Sequence, residues 1–243
     1  MSRIVLVTGA AVGIGAEIAR KLGTGQRIAL HYHRSRREAE ELGRELALHA
    51  EQVECIGADL STDAGCVHLH REMERRFGAL DVLVNNAGGM IERQAVRDLT
   101  WGHLEATFAL NVLSTMRLSG LCVPLLERGT HSCIINVTSI AIRHGAPTAT
   151  AYGAAKAAID AFTRGAAAEL APRIRVNAVA PGIIDTRFHE RVTSPEKMQR
   201  FQAQTPLQRF GAAAEVAAAV EFLVASEFMT GETMDLNGGL FMR

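Results

Sequence analysis

The alternation of two residue patterns constrains this chain more than any other feature. Short apolar, β-branched runs occur at Ile4–Val7, Arg27–Tyr32, Gln52–Gly57, Asp81–Val84, Cys133–Val137, Ile174–Val179 and Glu232–Leu236. Between them lie longer stretches with apolar residues every three or four positions, at Gly13–Leu22, Arg36–Ala50, Ala64–Phe77, Leu104–Leu126, Ala151–Leu170 and Ala213–Ala225. Strand–helix alternation predicts right-handed βαβ crossovers and a parallel sheet with helices on both faces. Several strand runs are apolar at nearly every position, as a doubly covered strand requires. No linker composition, internal repeat or low-complexity tract divides the chain, and 243 residues fit one α/β domain. The expected architecture is a single doubly wound domain over residues 1–243.

Composition excludes several function classes. Lys and Arg number 26 and so do Asp and Glu, which gives no basic footprint for nucleic acid or an anionic membrane. Met1-Ser2-Arg3 runs directly into Ile4-Val5-Leu6-Val7, too short an approach for a secretory leader. Thr8-Gly9 breaks that apolar run far below the ~18 residues of a membrane span. A cytoplasmic protein with no membrane or nucleic-acid partner is expected. Cys55, Cys66, Cys122 and Cys133 form no C-x-x-C pair, and no two histidines stand four apart. The cysteines are therefore read as small buried hydrophobes, and no metal site is expected.

The first strand runs into Thr8-Gly9-Ala10-Ala11-Val12-Gly13-Ile14-Gly15, which opens a helix. Gly9 permits the tight exit from the strand, Gly13 lets backbone approach a pyrophosphate, and Gly15 lets the helix pack closely on the sheet. The helix start then offers free N–H groups and a positive dipole end to phosphate. In this strand–turn–helix setting Gly9, Gly13, Ile14 and Gly15 read as a dinucleotide-binding loop in a Rossmann-type sheet of about seven strands.

The spacing G-x-x-x-G-x-G, preceded by Thr8, resembles the short-chain dehydrogenase/reductase family. Further matches follow in the family's order: Asp59-Leu60, Asn85-Asn86-Ala87-Gly88, Asn111, Ser139, Tyr152-x-x-x-Lys156, Pro181-Gly182 with Thr186, and Asn237-Gly238-Gly239. The ending, with Phe241-Met242, is most similar to 3-oxoacyl-acyl-carrier-protein reductases and neighbouring sugar and polyol dehydrogenases. The resemblance implies that Asp59 accepts from an adenine amino group and that Leu60 flanks the ring. It also implies that Asn86, Ala87 and Gly88 run along a ribose, and that Ile184 and Thr186 contact the carboxamide and pyrophosphate. It assigns Asn111 to a water relay toward Lys156. A homotetramer is implied too, with Leu104–Leu126 and Ala151–Leu170 at one interface and the small residues Gly153, Ala154, Ala157, Ala158 and Ala161 allowing close approach.

Tyr152 and Lys156, four apart on one helix face, supply acid/base chemistry. A free phenol ionises near pH 10, and an ammonium one turn away, with the positive ring of an oxidised nicotinamide, is expected to favour the phenolate. Ser139 ends the fifth strand, where open α/β sheets bind ligands, and can donate to a substrate oxygen. The expected reaction is hydride transfer between a nicotinamide and a small-molecule carbonyl or alcohol, with Tyr152 as general acid/base. Alternatives are an NAD-dependent alcohol, sugar or polyol dehydrogenase and a non-catalytic dinucleotide sensor.

NAD-selective sites place an acid near the end of strand two to hold the ribose 2′-hydroxyl. Here the chain reads Tyr32-His33-Arg34-Ser35-Arg36-Arg37, with no acid until Glu38. His33, Arg34 and Ser35 suit a 2′-phosphate, so NADP(H) is expected, with NAD(H) the alternative. Ser35-x-x-Glu38 also reads as a capping box. The substrate wall is expected from Met90, Ile91, Arg93, Arg187, Phe188, His189, Arg191, Phe201 and Phe210, with the loop arginines read as solvated.

Overall fold

The computed structural model describes residues 2–186 and 193–242; the expected wall residues Arg187, Phe188, His189 and Arg191 lie outside this set. Seven strands form one sheet: β1 (Ile4–Val7), β2 (Arg27–Tyr32), β3 (Gln52–Gly57), β4 (Val82–Asn85), β5 (Cys133–Val137), β6 (Arg175–Pro181) and β7 (Thr233–Leu236). Their order is β3-β2-β1-β4-β5-β6-β7, and every pairing is parallel. Nine α-helices are present among the described residues: α1 (Gly13–Gly23), α2 (Arg36–Leu46), α3 (Asp63–Phe77), α4 (Trp101–Phe108), α5 (Ser114–Glu127), α6 (Ala141–His144), α7 (Thr150–Leu170), α8 (Pro195–Gln204) and α9 (Ala213–Ala225).

Strand periodicity explains why these runs are apolar throughout. Val5 and Val7 face one core with Ile18 of α1, Leu42 of α2 and Val220 of α9. Ile4 and Leu6 face the opposite core with Leu69 of α3 and Leu118 and Leu125 of α5. The same division separates Val82 and Val84 from Leu83, and Ile135 from Ile134. Each such side chain contributes on the order of 1.5–3 kcal/mol by burial, and a one-residue slip would exchange the two faces.

The elements differ from the sequence reading mainly at their ends. The strand expected from Asp81 begins at Val82, because the Asp81 carboxylate is committed to Ile4 N (2.7 Å) and Thr130 N. The strands expected from Ile174 and Glu232 begin one residue later, at Arg175 and Thr233. Helix α2 stops at Leu46 rather than Ala50, and Gly25 N then donates to His49 O. The single helix expected over Leu104–Leu126 starts at Trp101 and passes through a π turn at Ala109–Leu113. By length and composition the stretch Trp101–Glu127 could cross a membrane, but half of its most apolar window is buried inside the fold. Helices α6 and α8 have no strong apolar periodicity and were not expected.

From β1 the chain winds outward to β3, then returns past β1 to β4 and continues to β7. The carboxyl ends of β1 and β4 therefore flank the reversal point, where an open α/β sheet forms a ligand crevice. A cleft of about 1260 Å³ opens there, walled by the segments that follow β1, β2, β3, β4, β5 and β6.

Candidate active site

The glycine loop is tied to the rest of the crevice by three side chains. Thr8 Oγ1 accepts from the N–H groups of Asn86 and Ala87, both at 2.9 Å, joining the exits of β1 and β4. Asn86 Nδ2 donates back to the carbonyls of Thr8 (2.9 Å) and Gly9 (3.1 Å). His31, at 2% exposure, accepts from Gly9 N at Nδ1 (3.1 Å). The proton of its neutral ring then lies on Nε2, which donates to Ala58 O at 3.1 Å. Burial holds the imidazole neutral by pushing its pKa down to about 4, with His33 adding to the effect and the Ala58 contact and Asp59 opposing it. One ring thus pins the ends of β1, β2 and β3 together. Sequence reasoning missed His31, because a histidine inside an apolar strand gives no signal of a local job.

Gly9 (φ 62°) and Gly13 (φ 57°) occupy the left-handed region that favours glycine. A methyl on Gly15 would stand 2.2 Å from Gly9 O and 2.5 Å from Asn86 Nδ2, so close packing requires glycine there. Helix α1 begins without a side-chain cap, leaving its first N–H groups toward the cleft. Helices α3, α4 and α8 are by contrast capped by Thr62, Thr100 and Ser194. The expected capping box at α2 does not form: Ser35 makes no cap hydrogen bond, so its hydroxyl is available to the cleft it lines.

The cleft collects Gly9, Gly13, Ile14, Gly15, His33, Arg34, Ser35, Asp59, Asn86, Ala87, Gly88, Pro181, Gly182, Ile184 and Thr186. Leu60 is the exception. Its side chain is 5% exposed and packs in the core beneath α3, so Ser61 lines the wall in its place. Asp59 does serve a turn, with Oδ1 accepting from Ser61 N (3.0 Å) and Ser61 Oγ (2.6 Å). Its other oxygen lies 3.8 Å from His33 Nε2. Gly182 passes so close to Asn237 that a methyl would be 2.7 Å from its Cα. Asn237 folds the C-terminal turn through Gly239 N (3.0 Å) and Phe241 O (3.0 Å), and Leu240 reaches the cleft. These residues fit a dinucleotide: uncapped N–H groups for phosphate, glycines for close approach, and Arg34 with Ser35 at the ribose end.

Ser139, Tyr152 and Lys156 come together at the other end. Ser139 follows β5, and its Oγ accepts from Ala141 N at 3.2 Å while also bonding the Tyr152 hydroxyl. Helix α7 carries Tyr152 and Lys156 on its cleft face and is fixed by a buried polar chain. In that chain Asn85 Nδ2 reaches Asn136 Oδ1 (2.9 Å) and Asn136 Nδ2 reaches Thr163 Oγ1 (2.9 Å). Lys156 directs its ammonium to Val137 O (2.8 Å), and Nζ stands 6.0 Å from the Tyr152 ring centre. Burial pushes the phenol up to about 12, with the Ser139 bond pulling the other way, and pushes the lysine down to about 8. These are the directions set by the protein alone; the lowering expected from the sequence also draws on the positive ring of an oxidised nicotinamide. Desolvation outweighs the Ser139 bond at the phenol, while the ammonium is turned to the Val137 carbonyl.

Asn111 lies fully buried in the π turn, a distortion that recurs at functional sites. Its amide is tied to Gly89 through N (2.9 Å) and O (2.9 Å), and also to Thr107 O (2.9 Å). A methyl on Gly88 would stand 2.8 Å from Asn111 Oδ1 and 3.2 Å from Lys156 Nζ, so the glycine keeps that space clear. The wall beyond contains Met90, Ile91, Arg93 and Phe201 as expected, but not Phe210. It also includes His144, Lys197 and Arg200, which sequence spacing did not join to it. Of the expected small residues, Ala154, Ala157 and Ala161 are exposed, whereas Gly153 packs against Gly145 and Ala146.

Fold and cleft together define a nicotinamide-dinucleotide-dependent oxidoreductase. A family model described as "Enoyl-(Acyl carrier protein) reductase" matches residues 9–241. The chain belongs to the short-chain dehydrogenase/reductase family. It is 34% identical over 248 residues to the 3-oxoacyl-[acyl-carrier-protein] reductase of Staphylococcus epidermidis, covering 100% of both chains. Among solved structures it is similar to an NADH-dependent reductase responsible for alginate metabolism, with TM-score 0.91 and 30% identity over 100% of this chain and 98% of that one. It is also similar to the RhlG protein of Pseudomonas aeruginosa in an NADP active-site complex, with TM-score 0.90 and 32% identity over 98% and 96% of the two chains.

Proposed function

We propose that this protein is an NADPH-dependent carbonyl reductase, converting a ketone or 3-oxoacyl group to the alcohol. The observation that carries the reading is the convergence of Ser139, Tyr152 and Lys156 on one cleft, with Tyr152 hydrogen-bonded to Ser139 and Lys156 held by Val137 O at 2.8 Å. The bound dinucleotide supplies the hydride. Ser139 donates to the substrate oxygen and draws charge onto it, and Tyr152 transfers its proton to that oxygen as the alcohol forms. Lys156, buried beside the ring, steadies the phenolate left behind, and Asn111 holds the Gly89 backbone in place around the ammonium. Gly9, Gly13 and Gly15 with the α1 N-terminus receive the phosphates. Asn86, Ala87 and Gly88 line the neighbouring ribose, Asp59 the adenine, and Pro181, Gly182, Ile184 and Thr186 the nicotinamide end. NADPH is favoured by the absence of an acid at the end of β2 and by His33, Arg34 and Ser35 on that wall. A homotetramer built on the exposed faces of α4–α5 and α7 accords with the small residues Ala154, Ala157 and Ala161.

The test is Tyr152→Phe. The variant should bind NADPH with wild-type affinity and lose ketone reduction by at least about a thousandfold, in the range of losing a general acid. Retained turnover would overturn the mechanism. The exposed Arg128 and Arg173 do not line the cleft, and Arg128 is paired with Glu74 at 3.1 Å, so neither adds a basic entrance for an acyl carrier.

A further inference from the structure

We propose that the substrate carries an anionic group, carboxylate or phosphate, received by Lys197 with Arg200 and Arg93 at the end of the cleft farthest from Arg34. The inference rests on the reductase reading and names its substrate class. Among the described residues that line the cleft only two are acidic, Glu38 and Asp59, and both stand at the β2–β3 end. The opposite end presents Arg93, His144, Lys197 and Arg200. Lys197 lies in the first turn of α8, with Nζ 3.4 Å from Thr148 Oγ1 and 5.8 Å from the centre of the Phe201 ring. That places its ammonium over the Gly145–Ala149 segment, which leads directly into α7 and Tyr152. Arg93 is partly buried, not solvated as a loop arginine was expected to be, and its Nη2 contacts Thr193 Oγ1 at 3.2 Å. It thereby brings the segment after β4 to the start of α8.

Arg93 and Arg200 both act on Lys197. The Lys197 ammonium is pulled down first by burial and then by the charges of Arg93 and Arg200. Like charges gathered on a partly desolvated wall repel, and an anion among them removes that repulsion. Among the described residues, the two acids adjoining Arg93 and Lys197 in sequence face other partners: Glu92 accepts from Gln94 and lies 3.8 Å from His103, while Glu196 turns back to Ser194 and its own backbone. Ile91, Leu110 and Phe201 line the same cleft and give it apolar surface for the body of a short substrate.

The experiment compares matched pairs with NADPH: acetoacetate against methyl acetoacetate, and dihydroxyacetone phosphate against dihydroxyacetone. The anionic member of at least one pair should show a KM at least about tenfold lower, and which pair responds distinguishes carboxylate from phosphate. Lys197→Ala and Arg200→Ala should lower the anion-to-neutral ratio of kcat/KM about tenfold or more. Lys197→Glu should lower it further, and Lys197→Arg should restore most of it. Preference for the neutral members, or an equal loss for both in the variants, overturns the inference while leaving the reductase reading intact. If no ketone is reduced, that reading fails, and calorimetric titration of the same four compounds decides this one. Tighter binding of an anionic member, abolished by Lys197→Glu, upholds it; equal binding of acid and ester, and of phosphate and diol, overturns it.

Discussion

The backbone N–H of Gly9 donates to Nδ1 of His31 across 3.1 Å, so the turn proposed to receive the diphosphate is held by a neutral imidazole. A protonated ring has no lone pair at Nδ1 and cannot hold that bond. Because the pKa falls to about 4 in the fold and is near 6.5 in an unfolded chain, the unfolded state binds more protons between those values. Stability therefore falls as pH drops from 6.5 toward 4, by roughly 3 kcal/mol across the window. Urea midpoints measured at pH 7.5, 6 and 5 should show this slope, and His31→Asn should flatten it. An unchanged slope in the variant would assign the acid sensitivity to other groups.

Arg34 is exposed at the cleft wall, and Ser35 is free of any capping role. Charge-assisted bonds to a phosphate contribute about 1.5–3 kcal/mol each. Arg34→Ala should therefore weaken NADPH binding by roughly ten- to a hundredfold while leaving NADH nearly unchanged. Fluorescence titration with both dinucleotides checks this. Equal loss for the two, or tighter NADH binding in the wild type, would move the protein to the NAD-linked dehydrogenase reading.

Gly15 is where the loop tolerates least. Its missing side chain is replaced by Gly9 O and Asn86 Nδ2, both closer than any methyl permits. Gly15→Ala should destabilise the fold by several kcal/mol, or displace α1 and abolish dinucleotide binding. Gly13→Ala makes a useful contrast, since its nearest heavy atom would be Thr186 Cγ2 at 3.6 Å. Its cost comes from the positive φ and is about 1–2 kcal/mol. Thermal melts of the two variants with and without NADPH separate steric from conformational loss.

Periodicity carried the sheet and its helices, because strands covered on both faces leave a continuous apolar trace in β1, β4 and β5. Local spacing likewise carried Gly9, Gly13, Gly15, Tyr152 and Lys156, whose partners are within one turn or one loop. What stayed hidden depends on chain segments meeting from far apart. Arg93 comes within charge range of Lys197 only after β4 and β6 are laid in one sheet, and His31 serves Gly9 and Ala58 only once β1, β2 and β3 align. Leu60 was misread for a related reason: position after β3 does not say which way a side chain turns, and α3 claimed it for the core. Helix α8 escaped notice because its polar sequence, Pro-Glu-Lys-Met-Gln-Arg-Phe-Gln-Ala-Gln, buries no face.

The pair Tyr152 and Lys156 makes a last prediction. Burial lowers the lysine from 10.5 to about 8, so between those values the unfolded chain holds a proton that the fold has released. Stability should rise with pH from 8 toward 10. Above 10 the tyrosine, raised to about 12, acts in the opposite direction, because the fold then keeps a proton that the unfolded chain loses. Lys156→Met should remove the rise between pH 8 and 10, retain or slightly increase stability at pH 7, and abolish reduction. A buried ammonium kept at a cost in stability is what a group retained for chemistry looks like. Denaturant midpoints at pH 7, 8.5 and 10 for wild type and variant measure the effect. The ultraviolet titration of tyrosinate in Tyr32→Phe, where Tyr152 is the remaining tyrosine, should stay silent below pH 10 without added dinucleotide. A midpoint near 7 there would show a phenolate formed without help from an oxidised nicotinamide and make the protein better suited to alcohol oxidation.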